Sequence, residues 1–241
     1  MANLRVEGLK KNFGRKVAVR DVGFSMVEGE IVGLLGPNGA GKTTVFYMIV
    51  GFIRATAGRI YLNNANITHK PMYKRARRGI SYLPQEASVF RKLTVEKNIW
   101  AVLQTRGDLS RKQKKYELET LLDELGIKEL RRQKAYTLSG GERRRTEIAR
   151  SLAIKPKFLL LDEPFAGIDP IAVFEIKKIV SELSRKGIGV LITDHNVRDT
   201  LEITNRSYII NLGEILVSGS KDELLVSETA RQVYLGEDFR M

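Results

Sequence analysis

Residues 36–43 read Gly-Pro-Asn-Gly-Ala-Gly-Lys-Thr and fit the GxxxxGK[ST] pattern of a phosphate-binding loop. The wholly apolar run Ile31–Leu35 comes directly before the motif and predicts a buried strand, and residues 44–50 predict a helix directly after it. This context favours a phosphate-binding loop over an ordinary glycine-rich turn, because the motif requires a strand before it and a helix after it. We therefore expect an α/β protein that binds a phosphate group.

The residue types in this loop explain how it would hold a phosphate. Glycines allow several backbone N–H groups to converge on one point, and the start of a helix adds a partial positive charge there. Lys42 is placed to reach the outer phosphates, and the hydroxyl of Thr43 can ligate Mg²⁺. The predicted nucleotide-binding residues of this loop are Gly36, Pro37, Asn38, Gly39, Ala40, Gly41, Lys42, Thr43 and Thr44.

The composition narrows the class of protein. At 241 residues, of which 43% are hydrophobic, the chain suits one large α/β domain, or such a domain with an inserted lobe. It has no cysteine, which excludes disulfides and thiolate metal sites and fits a reducing compartment. The N-terminus shows no apolar signal region, and no apolar stretch reaches the ~20 residues that span a bilayer. We expect a protein that is soluble or that is held at a membrane by something other than its own chain.

The positive charge is concentrated in one part of the chain. The net charge is +13, and residues 70–157 alone carry an excess of that size, whereas residues 158–241 are net acidic. Such a basic block can face nucleic acid, an anionic membrane surface or an acidic protein. It can equally be the solvated surface of basic helices.

Hydrophobic periodicity predicts how the chain is divided. In residues 1–86 and 158–241, short apolar strands alternate with helices, which is typical of a mostly parallel sheet with helices on both faces. Residues 87–157 have a helical pattern throughout. We therefore expect one domain over residues 1–241, in which an α/β nucleotide-binding core carries an inserted helical subdomain.

The N-terminal part is predicted to add antiparallel strands to this core. Leu4–Gly8 and Val17–Val27 have the pattern of strands, and Phe13 is expected in the turn between them. In the helical subdomain, Ser110 and Ser139 precede helical patterns in the way that N-cap residues do.

Two carboxylates, Asp162 and Glu163, directly follow the apolar strand 158–161. In open α/β sheets, ligands bind at the carboxyl ends of the strands, so we expect both side chains near the phosphate. Asp162 then fits the role of holding Mg²⁺, and Glu163 fits the general base that takes a proton from the attacking water. An exposed Asp-Glu turn without chemistry is the alternative, and the phosphate loop upstream makes it less favoured.

His195 is one of only two histidines and follows the predicted strand 190–193. At that strand end it is placed to hydrogen-bond the terminal phosphate and to orient the base. The alternative is a structural histidine. His69 lies in a polar loop without such context, and we assign it no role.

Residues 138–142, Leu-Ser-Gly-Gly-Glu, precede a helical pattern and form a second possible anion site. Ser139, Gly140 and Gly141 at a helix N-terminus would present backbone N–H groups and a hydroxyl to an anion. Ser139 can also act as the N-cap of that helix, which is compatible with anion binding. One chain would then carry two phosphate-binding helix starts.

In this order, the motifs resemble those of the ATP-binding cassette ATPase subunits of membrane transporters. The order is the phosphate loop, Gln85, residues 138–142, Leu-Leu-Leu-Asp-Glu-Pro at 159–164, Ala-Gly-Ile-Asp at 166–169, and His195. The resemblance covers nearly the whole chain, and the combination is far more specific than any motif alone. It implies a P-loop nucleoside triphosphatase fold, ATP and Mg²⁺ as ligands, and ATP hydrolysis.

The resemblance also implies roles for individual residues. Phe13, where the family usually has tyrosine, would stack on adenine. Gln85 would contact Mg²⁺ and the attacking water, and would relay the state of the nucleotide to the transporter. The implied catalytic residues are Glu163, His195 and Gln85, and the implied metal-binding residues are Thr43, Gln85 and Asp162.

A head-to-tail homodimer is implied as well. Each ATP would lie between the phosphate loop of one chain and Ser139, Gly140 and Gly141 of the other. The motif ends in Glu142, where glutamine is commoner. Because the Ser139 hydroxyl and the Gly141 N–H would make the phosphate contact, we expect function to be retained.

Three segments are similar to a narrower branch of the family, which powers bacterial lipopolysaccharide export. They are Tyr82–Arg91, the Leu-Ser-Gly-Gly-Glu-Arg-Arg-Arg run at 138–145, and Tyr234–Phe239. The similarity implies a homodimer on the cytoplasmic face of the inner membrane, beneath two transmembrane subunits that dock near Tyr82, Phe90 and Arg91. No contact with the transported substrate or with nucleic acid is implied. Phe239 is expected to pack near the dimer contact.

Other functions remain as alternatives at this point. The ATPase of a branched-chain amino acid importer has a similar core, and a nucleic-acid-linked cassette ATPase would suit the basic block. Against the latter, the chain has one cassette, no long coiled-coil insert and no cysteine. A small-molecule kinase has no use for residues 138–142. Phe90 could also be an ordinary core residue.

Overall fold

The computed structural model describes residues 1–236, and one ten-stranded sheet runs through them. Its strands are β1 (Asn3–Phe13), β2 (Lys16–Val27), β3 (Ile31–Leu35), β4 (Ala57–Leu62), β5 (Ala65–Asn66), β6 (Ile80–Leu83), β7 (Phe158–Asp162), β8 (Gly189–Thr193), β9 (Arg206–Asn211) and β10 (Glu214–Gly219). The helices are α1 (Lys42–Val50), α2 (Met72–Ala76), α3 (Val95–Leu103), α4 (Arg111–Glu124), α5 (Gly140–Leu152), α6 (Pro170–Arg185), α7 (Val197–Ile203), α8 (Lys221–Val226) and α9 (Glu228–Ala230). A π-helical turn, Arg231–Leu235, follows α9.

The nucleotide-binding half of the sheet is parallel. Its strand order is β9-β3-β8-β7-β6, and each neighbouring pair runs in the same direction. Every residue of β3, β7 and β8 is buried, as expected of parallel strands covered on both faces. The parallel arrangement brings the carboxyl ends of β3, β7 and β8 to one edge of the sheet.

Two hydrophobic clusters cover the two faces. Along β7, Phe158 and Leu160 belong to a cluster that includes α1, whereas Leu159 and Leu161 belong to a cluster that includes α3, α4, α5 and α6. Because successive side chains of a strand point to opposite faces, this alternation shows helices packed on both sides of the sheet. The prediction of an α/β fold with a sheet covered on both faces is confirmed.

The other half of the sheet contains the antiparallel strands in the order β5-β4-β1-β2. The antiparallel N-terminal strands are thus confirmed, but the predicted position of Phe13 in a turn is wrong. β1 continues beyond Gly8 to Phe13, which pairs with Lys16 of β2. Register shifts within β1 interrupt the simple alternation of apolar and polar residues, and this is why the strand is longer than its pattern indicates.

Helices α3, α4 and α5 lie in the chain between β6 and β7. Each begins after a side-chain N-cap, provided by Thr94, Ser110 and Ser139 respectively. The N-cap oxygen accepts a backbone N–H of the first turn, which satisfies a donor that the helix itself leaves unpaired. These caps fix where the helices start, and for Ser110 and Ser139 they agree with the sequence pattern.

Several elements were not predicted from the sequence. They are the two-residue strand β5, helices α7 and α9, the short 3₁₀ turn Ala135–Thr137 and the terminal turn Arg231–Leu235. The predicted packing of Phe239 concerns a residue outside the described range. Within residues 1–236, no helix is both long and apolar enough to cross a membrane.

Candidate functional site

The phosphate loop leaves the carboxyl end of β3 and leads directly into α1. A side chain at Gly36 would place its Cβ 2.0 Å from the carbonyl oxygen of Ile210, so only glycine fits there. Gly41 has a φ of 108°, and a Cβ there would lie 2.8 Å from the carbonyl oxygen of Ala18. No side chain caps α1. Its first N–H groups therefore face the loop, as an anion-binding helix N-terminus requires.

Lys42 lies inside this loop. Its Nζ donates hydrogen bonds to the carbonyl oxygens of Gly36 at 2.7 Å and Pro37 at 3.0 Å. Burial lowers the pKa of Lys42, although nearby carboxylates, above all that of Glu163, oppose the shift. A cation held within the loop by two carbonyl groups is suited to bind a phosphate that enters from the open side.

A cavity of about 470 Å³ opens over the loop. The predicted residues that line it are Phe13, Asn38, Gly39, Gly41, Lys42, Thr43, Thr44 and Glu163. Lys16, Val17 and Ala18 also line it and were missed, because their strand had no motif to mark them. Phe13 is 49% exposed, and Lys11 Nζ lies 4.8 Å from its ring centroid. A half-exposed aromatic ring can stack on the flat base of a nucleotide, and the anion-binding loop beside it can hold the phosphates.

Gly36, Pro37 and Ala40 do not line the cavity but shape the loop. Ala40 N donates to Pro37 O at 3.2 Å, and Gly213 N donates to Ala40 O at 3.0 Å. These bonds hold the curled backbone in place from behind. The three residues therefore support the loop, while the residues around them face the cavity.

Asp162 is the last residue of β7 and is 2% exposed. Its Oδ1 accepts a hydrogen bond from Thr193 Oγ1 at 2.7 Å, and its Oδ2 accepts one from Tyr82 OH at 3.1 Å. Burial, together with the charge of Asp162, raises the pKa of Tyr82. The carboxylate is thus fixed in orientation at the strand end, and carboxylate and hydroxyl oxygens such as those of Asp162 and Thr43 are ligands that suit Mg²⁺.

Glu163, Gln85 and His195 come together at the same edge, as predicted. Gln85 Nε2 donates to Glu163 Oε2 at 2.7 Å, and His195 Nδ1 lies 3.3 Å from the same oxygen. The backbone of Glu163 has a φ of 45°, in the left-handed region, and its N–H donates to Thr193 O at 2.9 Å. A carboxylate oriented by an amide and an imidazole has the geometry of a general base.

Ser139 is the N-cap of α5, and Glu142 completes a capping box. Ser139 N and Ser139 Oγ each donate to Glu142 Oε2 at 2.8 Å. Gly141 packs against α6, where an added Cβ would lie 2.6 Å from the Cβ of Ala172. Gly140 borders a small cavity with Gln85, separate from the one over the phosphate loop. The two predicted phosphate-binding helix starts, those of α1 and α5, thus border two separate cavities.

Arg144 was missed by the sequence analysis. This side chain is 6% exposed, and its guanidinium donates to the carbonyl oxygens of Pro84, Asp162, Glu163 and Pro164 and to the carboxylate of Glu147. It therefore joins α5 to the ends of β6 and β7. In the sequence, Arg144 counted only toward the basic block of residues 70–157 and the 138–145 run of the family resemblance. The signal that could have found it is its place with Gly141 and Ile148 on the buried side of the helix.

Phe90 and Arg91 are exposed, with Phe90 at 48%, which contradicts the alternative of a core phenylalanine. The Cζ of Arg150 lies 4.5 Å from the centroid of the Phe90 ring, and Tyr82 and Arg150 both line a groove of about 390 Å³. Tyr47 and Phe52 line the same groove. This surface is open and partly aromatic.

Comparison with known proteins agrees with this geometry. The sequence matches the ABC transporter family over residues 19–166. It is 53% identical to the "Lipopolysaccharide export system ATP-binding protein LptB" of Escherichia coli K12 and 51% identical to the protein of that name from Haemophilus influenzae, in each case over 100% of both chains. The ADP conformation of MJ1267, an ATP-binding cassette of an ABC transporter, superposes with a TM-score of 0.86 at 30% identity, and the match covers 98% of this chain and 100% of that one.

The strand–loop–helix phosphate site and the carboxylates at the end of β7 agree with the family match over residues 19–166 and with the relatives that match over the full chain. The chain therefore belongs to the ABC transporter family and is one of its ATP-binding, ATP-hydrolysing subunits.

Proposed function

We propose that this ATPase powers the extraction of lipopolysaccharide from the inner membrane for export to the outer membrane. The observation that carries the proposal is identity of 51–53% over full length to proteins named for lipopolysaccharide export. It acts on the cytoplasmic face of the inner membrane beneath transmembrane subunits, and it does not contact the transported lipid.

The proposed chemistry follows from the positions of the side chains. The phosphate loop and Lys42 bind the phosphates, and Phe13 stacks on the base. Glu163 accepts a proton from the attacking water, because its carboxylate is oriented by Gln85 and His195 beside the phosphate cavity.

Mg²⁺ fits the oxygen donors at this edge of the sheet. Thr43 and Asp162 would hold it, with Gln85 as a further ligand. When bound, the ion neutralises charge that develops on the phosphate oxygens. Thr193 and Tyr82 keep the Asp162 carboxylate in the orientation this role requires.

The proposed active form is a head-to-tail homodimer. Gly140 borders a cavity separate from the one over the phosphate loop, which supports action of Ser139 and Gly141 on a nucleotide bound by a second chain. Each dimer then has two composite sites. In this arrangement, residues 1–86 and 158–241 are the nucleotide-binding core, and residues 87–157 are the helical subdomain that presents the signature residues.

The proposed docking surface for the transmembrane subunits is the groove beside Phe90. Tyr82 and Arg150 line this groove, and Phe90 packs on Arg150. Arg91 provides an exposed positive charge next to the ring. An open aromatic groove with cations at its edge suits a short helix that carries apolar and acidic side chains.

Depletion of the protein in its own cells tests the transported substrate. We expect newly made lipopolysaccharide to remain at the inner membrane, while uptake of branched-chain amino acids continues. Normal surface lipopolysaccharide together with loss of branched-chain amino acid import would overturn the proposal in favour of the importer.

A mixing experiment tests the composite site. A Lys42→Ala chain lacks the phosphate-loop cation, and a Ser139→Arg chain lacks the signature hydroxyl. In a mixed dimer, one site then carries both defects and the other carries neither, so we expect the mixture to recover activity that neither variant has alone. No recovery, with activity of the parent strictly linear in protein concentration down to high dilution, would overturn the dimer model.

A further inference from the structure

The terminal turn Arg231–Leu235 is packed against the nucleotide-binding edge of the sheet. Leu235 is buried in a hydrophobic cluster with Leu35, the last residue of β3, and with Leu201 of α7, and Tyr234 packs against the same cluster. β3 leads into the phosphate loop, and α7 follows His195. The turn is therefore anchored between the two segments that carry phosphate-binding and catalytic residues.

The hydroxyl of Tyr234 contacts both of these segments. It donates a hydrogen bond to the carbonyl oxygen of Asp194 at 3.3 Å, and the backbone N–H of Gly36 lies close enough to its oxygen to lower the pKa of Tyr234. Gly36 is the first residue of the phosphate loop, and Asp194 directly precedes His195. The hydroxyl is thus bonded to the residue before His195 and lies beside the start of the phosphate loop, and the ring packs against the cluster that contains Leu35.

The surroundings keep this hydroxyl protonated. Burial raises the pKa of Tyr234 to about 12, the Gly36 N–H opposes the shift, and the carboxylates of Asp194 and Glu163 add to it. At neutral pH the Tyr234 hydroxyl therefore carries its proton and can donate a hydrogen bond.

The two loops need such a connection because the sheet ends before them. β3 and β8 pair from Ile31 with Val190 to Gly33 with Ile192. Beyond these strands, no backbone hydrogen bond in residues 1–236 joins the loop 36–43 to residues 194–196. Their relative position then depends on side chains.

We propose that Tyr234 is a positioning residue, whose hydroxyl fixes the phosphate loop relative to the Glu163–His195 pair. The inference rests on the proposed roles of those two residues. It assigns the ring of Tyr234 to packing and the hydroxyl to alignment, so the two contributions can be separated by a single substitution, Tyr234→Phe.

The full-length Tyr234→Phe protein is compared with Tyr208→Phe as a matched control. Tyr208 is buried and Tyr234 is partly buried, and the Tyr208 hydroxyl donates to Ser25 O at 3.4 Å and accepts a hydrogen bond from the Arg206 guanidinium, both away from the two loops. Loss of one hydrogen bond worth about 1 kcal/mol corresponds to a fall in kcat of about 3- to 10-fold for Tyr234→Phe. We expect the KM for ATP and the Kd for ADP to change less than about twofold, because the phosphate loop keeps its own backbone bonds.

A second readout does not depend on activity. The chain has two histidines, so the NMR spectrum of protein labelled at histidine has one ring Cε1–H signal from each of them. The signal that is missing from a His195→Ala variant belongs to His195. We expect Tyr234→Phe to shift the His195 signal and leave that of the exposed His69 unchanged, and Tyr208→Phe to shift neither.

An unchanged kcat or an unchanged His195 signal in Tyr234→Phe would overturn the inference. So would a loss of ADP affinity and Tm as large as the loss of kcat, because that pattern indicates a structural role. If Glu163→Gln and His195→Ala themselves leave hydrolysis intact, the proposed catalytic roles fail instead.

Discussion

Gln85 Nε2 lies 2.7 Å from Glu163 Oε2, although the two residues follow different strands of the sheet. His195 Nδ1 approaches the same oxygen from a third strand end at 3.3 Å. The carboxylate of Glu163, the proposed base, is therefore oriented by groups that depend on the register of β6, β7 and β8. A change in any of these segments can alter the position of Glu163 without touching the nucleotide.

Replacement of the base, Glu163→Gln, should abolish turnover and keep nucleotide binding. The amide cannot accept a proton from water, and loss of a general base typically lowers the rate by ~10²–10⁴-fold. Steady-state ATP hydrolysis and ATP affinity are the measurements, and ATP should accumulate in a stable dimer. Hydrolysis near the parent rate would contradict the assignment of Glu163.

Lys42→Met should raise the Tm of the nucleotide-free protein at pH 7 while weakening ATP binding. Burial of the charged amine lowers the pKa of Lys42 from its ordinary 10.5, which means that the charge destabilises the folded state. Relief of each kcal/mol is worth about 2–4 °C in Tm for a chain of this size.

The lowered pKa of Lys42 also predicts how the Tm advantage of Lys42→Met changes with pH. Below the folded-state pKa of Lys42, the lysine is charged in the folded and in the unfolded protein. The full free-energy cost of burying the charge is then present. As pH rises through that pKa the folded protein loses the proton first, so the cost shrinks, and it is absent above about 10.5. The control is Lys16→Met, because Lys16 lines the same cavity but is exposed. A Tm advantage that stays constant from pH 7 to pH 10.5 would contradict the mechanism.

Phe90→Ala should leave ATP hydrolysis by the isolated protein unchanged and weaken its co-purification with the transmembrane subunits. Phe90 is exposed, so its removal leaves no cavity in the core. Tyr116→Ala, which removes another exposed aromatic ring in the same part of the chain, is the matched control. Equal co-purification of the two variants would place the docking surface elsewhere.

Arg144→Met should destabilise the protein by about 3–5 kcal/mol, because it removes the ion-pair partner of the buried Glu147 carboxylate, which keeps only the donors of Ser88, and leaves four carbonyl oxygens without the guanidinium. The double substitution Arg144→Met with Glu147→Gln should recover part of this loss. Denaturant unfolding of the single and double variants measures both effects. Additive losses would show that the two side chains do not stabilise each other.

Much of the site could be predicted because its chemistry lies in short contiguous motifs. The loop 36–43 has its strand and helix beside it in the sequence, and Asp162 and Glu163 directly follow the apolar strand that positions them. Arg144 and Tyr234 could not be predicted in this way. Arg144 binds carbonyl groups, which leave no residue-specific trace in the sequence, and Tyr234 reaches Gly36 and Asp194 only after the chain has folded.

The left-handed backbone of Glu163 has a consequence for protein engineering. A non-glycine residue at a φ of 45° costs on the order of 1–3 kcal/mol, which glycine would not incur. A library selected for thermal resistance alone would therefore enrich glycine at position 163 and yield proteins without the carboxylate that we propose as the general base. For this chain, a screen for stability must be paired with a screen for hydrolysis.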